Sequence, residues 1–262
     1  MYKSIDVSGF PADREQKLKS IYRFSMFETL IYRSNLWMHT HRVLWLVEEL
    51  LPVAQRHLKI DAEMARTLAL VHDDAEMLTG DVQAGHKARM SIEELCAIEL
   101  SVEEAIETLA AKSPKTINGY VYKDLLLHTL KKDCIEAELV SYLDKLDAQC
   151  ESLHEVLAGN TSLLRSVMFY VNILTLFPRK FPDLAPLLSS KESSLTYITD
   201  VVSPEHVYVK RYAHLNKLHT VESLKIEDDF PFYNAWKRIV MEKGGKQGIK
   251  WLTEQKESLH LS

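Results

Sequence analysis

Residues 71–81 read VHDDAEMLTGD and hold one histidine and four carboxylic acids within eleven positions. The stretch directly follows an apolar run, a place where charged side chains are not found without partners. The spacing predicts a helix over 62–78, on which Glu76 follows His72 by four residues and Asp73 by three, so the three side chains share one side. This pattern indicates a functional site, with a structural ion network as the alternative.

The composition predicts an all-α fold. Glycine and proline number only 8 each in 262 residues, which favours helices over many short strands. We expect a main domain over 1–202 and a C-terminal extension over 203–262, with net charges of −7 and +2. Helical patterns cover 13–31, 62–78, 91–111, 122–157 with one break, and 163–177. A further helix begins at about 35, and Pro52 should kink or end it. In the extension we expect a short strand within 207–218, and one or two helices over 231–257 interrupted near 244–245.

Charge and cysteine content exclude several classes of protein. The net charge is −5, from 32 basic and 37 acidic residues, so we expect no nucleic-acid partner and no anionic membrane surface as partner. The longest apolar run, 167–177, is too short to span a bilayer. Three scattered cysteines and a start without a signal pattern predict a reducing, cytoplasmic location.

A metal site needs more ligands than one His-Asp pair provides. Upstream, either His39 or His41 is available at the start of an apolar helix, and downstream Asp144 lies between core residues, with Asp147 as its rival. Imidazole nitrogen together with carboxylate oxygen suits a borderline divalent ion such as manganese, iron, cobalt or zinc, with magnesium a further candidate. Such an ion with open positions is suited to hydrolysis, because it acidifies water and polarises a phosphoryl oxygen.

The order of these residues resembles the HD-domain metal phosphohydrolases, and within them the YfbR-like 5′-deoxynucleotidase branch. Residues 72–81, HDDAEMLTGD, match the pattern HDxxExxTGD of that branch. The pattern H-x-x-x-V matches residues 39–43, which favours His39 over His41, and residues 144–146 resemble the context of the last ligand. The resemblance thus implies a mononuclear divalent-metal site made by His39, His72, Asp73 and Asp144.

Two further motifs extend this resemblance over about 13–190. Residues 18–24, LKSIYRF, are similar to L-K-x-I-x-R-W, and residues 153–160, LHEVLAGN, are similar to L-x-E-x-x-A-G-N. The resemblance implies that Arg23 binds the phosphate, with Lys87 adding to it, because a forked guanidinium suits two phosphoryl oxygens.

The remaining roles also come from the resemblance. It implies that Glu76 positions the attacking water or protonates the leaving oxygen, and that Asp81 lies against the sugar and disfavours a 2′-hydroxyl. Phe24, which replaces the family's tryptophan, would stack on or wall the sugar. The implied reaction is hydrolysis of a (deoxy)nucleoside 5′-monophosphate to nucleoside and phosphate, with a small-molecule nucleotide as partner and a homodimer as the implied assembly.

Two departures leave other interpretations open. Phe24 lacks the indole donor of tryptophan, and Met38 precedes His39 where the family has an acid, so the sugar preference and the support of that histidine differ. The alternatives are an HD phosphohydrolase of another phosphorylated substrate, such as a nucleoside di- or triphosphate or a metabolite, and a non-catalytic HD-fold binding or regulatory module.

Overall fold

The structure is a computed structural model that describes residues 9–29, 31–199 and 230–253. It is mostly helical in these residues, as the composition predicts, with one two-stranded antiparallel hairpin. The elements are α1 (Arg14–Ser20), α2 (Leu36–His57), α3 (Ala62–Val71), α4 (Glu76–Thr79), α5 (Ala84–Lys87), α6 (Ile92–Lys112), β1 (Thr116–Ile117), β2 (Tyr120–Val121), α7 (Tyr122–Lys131), α8 (Ile135–Leu157), α9 (Leu164–Lys180), α10 (Ala185–Leu188) and α11 (Pro231–Thr253), with 3₁₀ turns at Thr161–Leu163, Pro182–Leu184 and Ser194–Thr199.

The chain divides into two compact units. The first comprises residues 1–24, 34–48 and 59–141, and the second comprises 25–33, 49–58 and 142–262. Helices α2 and α8 are each continuous through a point of division. The boundary that the sequence predicts at 202/203, like the strand predicted within 207–218, lies outside the described residues.

In the first unit, α6 and α3 both pack against α7, and the short α4 packs against α6 and α1. Helices α3 and α6 begin where their sequences predict. The Asp61 carboxylate accepts hydrogen bonds from the amides of Glu63 and Met64 at the start of α3, and Ser91 and Glu94 form a reciprocal capping box at the start of α6. These caps fix where α3 starts, and therefore where its last residue, Val71, presents the following motif.

Two predicted helix ends differ from the observed ones, and one predicted break is confirmed. The helix predicted over 13–31 ends at Ser20, because the chain then turns into an extended bridge in which Tyr22 pairs with Asn35. Helix α2 does not end at Pro52 but continues to His57, since the one hydrogen bond that proline forfeits is outweighed by the burial of apolar neighbours on the same turns. The predicted break within 122–157 is confirmed at Lys132, which has a left-handed φ of 54°.

The second unit has a buried aromatic group between α8 and α11. Trp236 is 2 % exposed, stacks with Tyr233 at a ring separation of 5.9 Å, and donates its indole N–H to Asp147 at 2.6 Å. His154 contacts the Tyr233 hydroxyl through Nδ1 at 2.6 Å. The prediction of a helical C-terminal segment with an interruption near Gly245 is confirmed within 231–253, where Gly245 has a positive φ of 53°.

The motif at residues 153–160 joins α8 to the following turn. Glu155 is 3 % exposed, and its two carboxylate oxygens accept from the Ile31 amide at 2.9 Å and the Asn160 side-chain amide at 3.0 Å. The same Asn160 nitrogen donates to the Glu28 carbonyl at 2.6 Å. These bonds tie the segment 25–33 to the end of α8, so this motif has a structural role.

We expect Glu155→Gln to lower the free energy of unfolding by about 1–3 kcal/mol, because the new amide group turns a donor towards an N–H group and leaves buried donors unpaired. Urea unfolding followed by circular dichroism measures this change. The control is Glu242→Gln, which removes an exposed pair with Arg238 and should cost less than about 0.5 kcal/mol. Equal stability of the Glu155 variant and the wild type would contradict the assigned role.

One segment of the described residues, Thr161–Lys180, is long and apolar enough to cross a membrane by length and composition. Buried helices of water-soluble proteins pass the same test. In this segment Val167, Val171 and Leu174 are almost fully buried. None of the three cysteines, which all lie within the described residues, forms a disulfide bond.

Candidate active site

The His-Asp motif lies in a tight turn between two helices and not on the continuous helix that the spacing predicts. Helix α3 ends at Val71 and α4 begins at Glu76. Between them the hydrogen bonds tighten to a three-residue pitch, from the Asp74 amide to the Val71 carbonyl at 2.9 Å and from the Glu76 amide to the Asp73 carbonyl at 3.0 Å. At that pitch residues three apart are eclipsed, so Asp73 and Glu76 remain on one side.

Two histidines and one aspartate converge beside this turn. His39 Nε2 lies 3.2 Å from His72 Nε2 and 3.5 Å from Asp73 Oδ2, and His72 Nε2 lies 3.4 Å from Asp73 Oδ1. The His72 Nδ1 atom is bonded to the Ala69 carbonyl at 2.8 Å, which leaves Nε2 as the nitrogen with a lone pair towards the cluster. Two nitrogens and a carboxylate at these separations are the donor set that a borderline divalent ion prefers.

The start of α2 explains why His39, and not His41, lies in this cluster. The Asn35 side chain accepts from the Met38 amide at 3.0 Å and caps the helix. His39 is fully buried on the first turn, whereas His41 Nδ1 is bonded to the Trp37 carbonyl at 2.8 Å. Burial lowers the pKa of His41, so its ring is neutral and is held within the helix.

Glu76 is a half-buried carboxylic acid next to the cluster. Its Oε2 atom is buried without a hydrogen-bond partner among the described residues. Burial raises its pKa well above the ordinary value, and the charges of Asp73 and Asp81 raise it further, while Lys87 and Arg23 oppose them. Four other predicted site residues therefore lie close enough to Glu76 to shift its pKa: Arg23, Asp73, Asp81 and Lys87.

The two residues predicted to hold phosphate and sugar follow the extended bridge after α1. The Arg23 amide donates to the Ser34 carbonyl at 3.0 Å, and its side chain is almost buried. The guanidinium carbon lies 5.7 Å from the centre of the Phe24 ring. Phe24 is itself buried and has a left-handed φ of 51°, a conformation that costs a bulky residue free energy and that is found at constrained functional positions.

The loop after α4 carries the other two predicted residues. Gly80 has a positive φ of 75° and ends α4, which lets the chain turn away after one helical turn. Asp81 follows it, Lys87 ends α5, and both are half-buried.

The two candidate aspartates of α8 differ in their partners. Asp147 is fully buried and accepts the Trp236 indole N–H described above. Asp144 pairs with the adjacent Lys145 and is partly exposed. Asp147 therefore serves the packing of α8 against α11 in the second unit. Asp144 remains the predicted metal ligand of α8.

Sequence reasoning missed the group that holds the turn in place. Asp74 is fully buried, with both carboxylate oxygens 2.9 Å from Arg14 Nε and with Oδ2 accepting the Tyr122 hydroxyl at 2.7 Å. Arg14 also donates to the Leu70 carbonyl at the end of α3. Burial and the Asp74 charge raise the pKa of Tyr122, so its hydroxyl stays protonated and donates. The signal for Asp74 was its place beside an apolar helix, but no local pattern indicates Arg14 or Tyr122.

We expect Asp74→Asn to destabilise the protein by about 3–5 kcal/mol, because it leaves the Arg14 guanidinium buried without its counter-charge. Thermal or urea unfolding measures the loss. Asp13→Asn is the matched control: it removes an exposed pair with Lys17 and should change stability by less than about 0.5 kcal/mol. Two variants of equal stability would show that the buried pair does not hold the turn.

The all-α fold, with its His-Asp turn facing a histidine from another helix, defines the chain as an HD-domain protein. The model of the YfbR-like 5′-deoxynucleotidase family matches residues 14–172, which is more than half of the chain. The chain belongs to that family. Membership in this family implies a metal-dependent phosphohydrolase.

One solved structure supports the fold. The PH0347 protein of Pyrococcus horikoshii OT3 is 19 % identical, with a TM-score of 0.51 over 70 % of this chain and 94 % of that one. A conserved hypothetical protein of Pyrococcus furiosus is 21 % identical, with a TM-score of 0.46 over 60 % of this chain and 91 % of that one. No curated protein matches the chain significantly.

Proposed function

We propose that the protein hydrolyses (deoxy)nucleoside 5′-monophosphates to nucleoside and phosphate in a reaction that depends on a divalent metal. One observation carries the proposal: a His-His-Asp cluster with separations of 3.2–3.5 Å lies beside a buried glutamate oxygen without a hydrogen-bond partner among the described residues. Family membership supports the reaction type.

The donor set fits a divalent transition metal. Two imidazole nitrogens with lone pairs 3.2 Å apart repel each other unless a proton or a cation lies near both. In the proposed site His39, His72 and Asp73 of the first unit bind the metal. Asp144 is the fourth ligand that the resemblance to the family implies. When bound, the metal supplies Lewis acidity to water and to a phosphoryl oxygen.

The chain's own residues do the rest of the chemistry. Arg23 binds two phosphate oxygens through its forked guanidinium, and Lys87 adds a second positive charge at the phosphate. This local charge offsets the repulsion between a dianionic substrate and a protein of net charge −5.

Glu76 is the proposed proton donor to the leaving oxygen. Because burial and two neighbouring carboxylates raise its pKa, it is suited to hold a proton and to deliver it to the leaving 5′-oxygen. Positioning the attacking water is the other role open to the same carboxyl group. Either role needs an oxygen that no other side chain occupies, and Glu76 Oε2 meets that requirement among the described residues.

Phosphate release from a panel of nucleotides tests the proposal. The panel contains deoxy- and ribonucleoside 5′-monophosphates, 3′-monophosphates and the corresponding di- and triphosphates, each with manganese, cobalt, zinc or magnesium. We expect release from the 5′-monophosphates. Exclusive cleavage of triphosphates would overturn the substrate assignment and keep the phosphohydrolase, whereas no release from any nucleotide would favour another phosphorylated substrate or a binding module.

Asp81 is proposed to set the sugar preference. A carboxylate close to the sugar disfavours a 2′-hydroxyl in two ways: it crowds the hydroxyl, and it takes up the space of the water that would solvate it. We expect Asp81→Asn to narrow the ratio of kcat/KM for deoxy over ribo substrates by about tenfold, the value of roughly one hydrogen bond. Steady-state kinetics with deoxyadenosine 5′-monophosphate and adenosine 5′-monophosphate measure this ratio. An unchanged ratio would remove Asp81 from sugar recognition.

A further inference from the structure

A second group of metal-ligating side chains lies at the junction of α7 and α8. His128 Nδ1 is 2.5 Å from Asp133 Oδ1, and the candidate ligand atoms of His128, Asp133 and Cys134 all lie within 4.8 Å of one another. It shares no residue with the proposed catalytic cluster. Within the described residues, only these three side chains and the catalytic candidates form such groups.

The backbone at this junction creates the cluster. Lys132 takes a left-handed conformation, with φ 54° and ψ 49°, and its amide donates to the His128 carbonyl at 2.7 Å. This reversal ends α7 and turns Asp133 back onto the last helical turn. Cys134 then precedes α8, where its carbonyl accepts from the Glu138 amide at 3.0 Å. Both helices therefore fix the spacing of the three ligands.

We propose that His128, Asp133 and Cys134 bind a zinc-type divalent cation. An imidazole nitrogen, a carboxylate oxygen and a sulfur are the three donor types that zinc accepts, and a fourth position stays open to water. Ligand atoms of tetrahedral zinc are about 3.5 Å apart, given metal–ligand bonds of about 2.0–2.3 Å. His128 Nδ1 and Asp133 Oδ1, 2.5 Å apart, must therefore separate by about 1 Å through side-chain rotation to bind one ion.

Solvent access favours the site. His128 is 32 % exposed and Asp133 is 48 % exposed, so an ion reaches the cluster from solvent. Burial raises the pKa of the Cys134 thiol to about 11, so metal binding must release the thiol proton to solvent.

Cobalt(II) absorption tests the proposal, because only a thiolate ligand gives a near-ultraviolet sulfur-to-cobalt charge-transfer band. The catalytic candidates contain no sulfur, so the band reports the His128 cluster alone and is independent of the proposed function. The full-length protein is stripped with a chelator and titrated with cobalt, and then with zinc. We expect the band to appear with cobalt and to be lost on addition of zinc.

Variants assign the ligands. Cys134→Ser should abolish the band, and Asp133→Asn and His128→Gln should each weaken cobalt binding by at least about tenfold. Cys96→Ser and His72→Ala should both retain it. Absence of the band in the wild type, or its persistence in Cys134→Ser, would overturn the proposal. If Cys134→Ser fails to fold, the cobalt titration of Asp133→Asn, a change at an exposed residue, replaces it. Unchanged cobalt affinity of the Asp133→Asn variant, measured by the band, would contradict the site.

Discussion

Glu76→Gln is expected to reduce phosphate release from a deoxynucleoside 5′-monophosphate by about 10²–10⁴-fold, the range that a positioned acid or base contributes. Glutamine keeps the size of the side chain and removes the transferable proton. Because Glu76 is not one of the proposed ligands, the variant should bind as much metal as the wild type. The measurements are kcat under metal saturation and metal content by elemental analysis.

The matched control is Glu99→Gln, which makes the same change at an exposed position of α6. It should keep full activity and metal content. A Glu76 variant with wild-type turnover would remove this residue from the mechanism. A variant that loses metal as well as turnover would instead indicate that Glu76 is itself a ligand.

His72→Ala is expected to lose both metal and activity, with a fall in turnover of about a thousandfold or more. The metal contributes several kcal/mol to the transition state, and each 1.36 kcal/mol is a factor of ten in rate. The motivating geometry is the 3.2 Å separation of the His72 and His39 Nε2 atoms. Turnover and metal stoichiometry are measured on the same purified sample.

His57→Ala serves as the control for histidine removal, since that ring pairs with Glu192 at 2.7 Å. Its metal content and turnover should match the wild type. A His72 variant that binds metal with unchanged affinity and retains turnover would contradict the proposed centre. A folded His72 variant with circular dichroism like that of the wild type is required for either conclusion.

The sequence was informative wherever the signal is local. The helical class follows from composition, the start of α3 follows from Asp61 as an N-cap, and the close approach of Asp73 and Glu76 follows from their spacing of three. A spacing of three survives the change from α-helical to 3₁₀ pitch. The spacing of four between His72 and Glu76 does not, and the predicted helix over 62–78 was wrong at that point.

Long-range partners were beyond the reach of local patterns. Arg14 lies 60 positions and Tyr122 lies 48 positions from Asp74, and neither stands in a motif that indicates a buried ion pair. The end of α1 at Ser20 was missed for a similar reason, since the bridge between Tyr22 and Asn35 forms only when the chain returns on itself. Tertiary contacts of this kind override helix propensity.

We propose that the cluster around the His-Asp turn makes phosphate release dependent on a divalent metal. The most direct measurement strips the protein of metal, assays phosphate release from deoxyadenosine 5′-monophosphate, and repeats the assay after adding back manganese, cobalt, zinc or magnesium. We predict no release from the stripped protein and restored release with at least one transition metal. Full activity of the stripped protein, or no activity on this and every other deoxynucleoside 5′-monophosphate with any metal, would contradict the account.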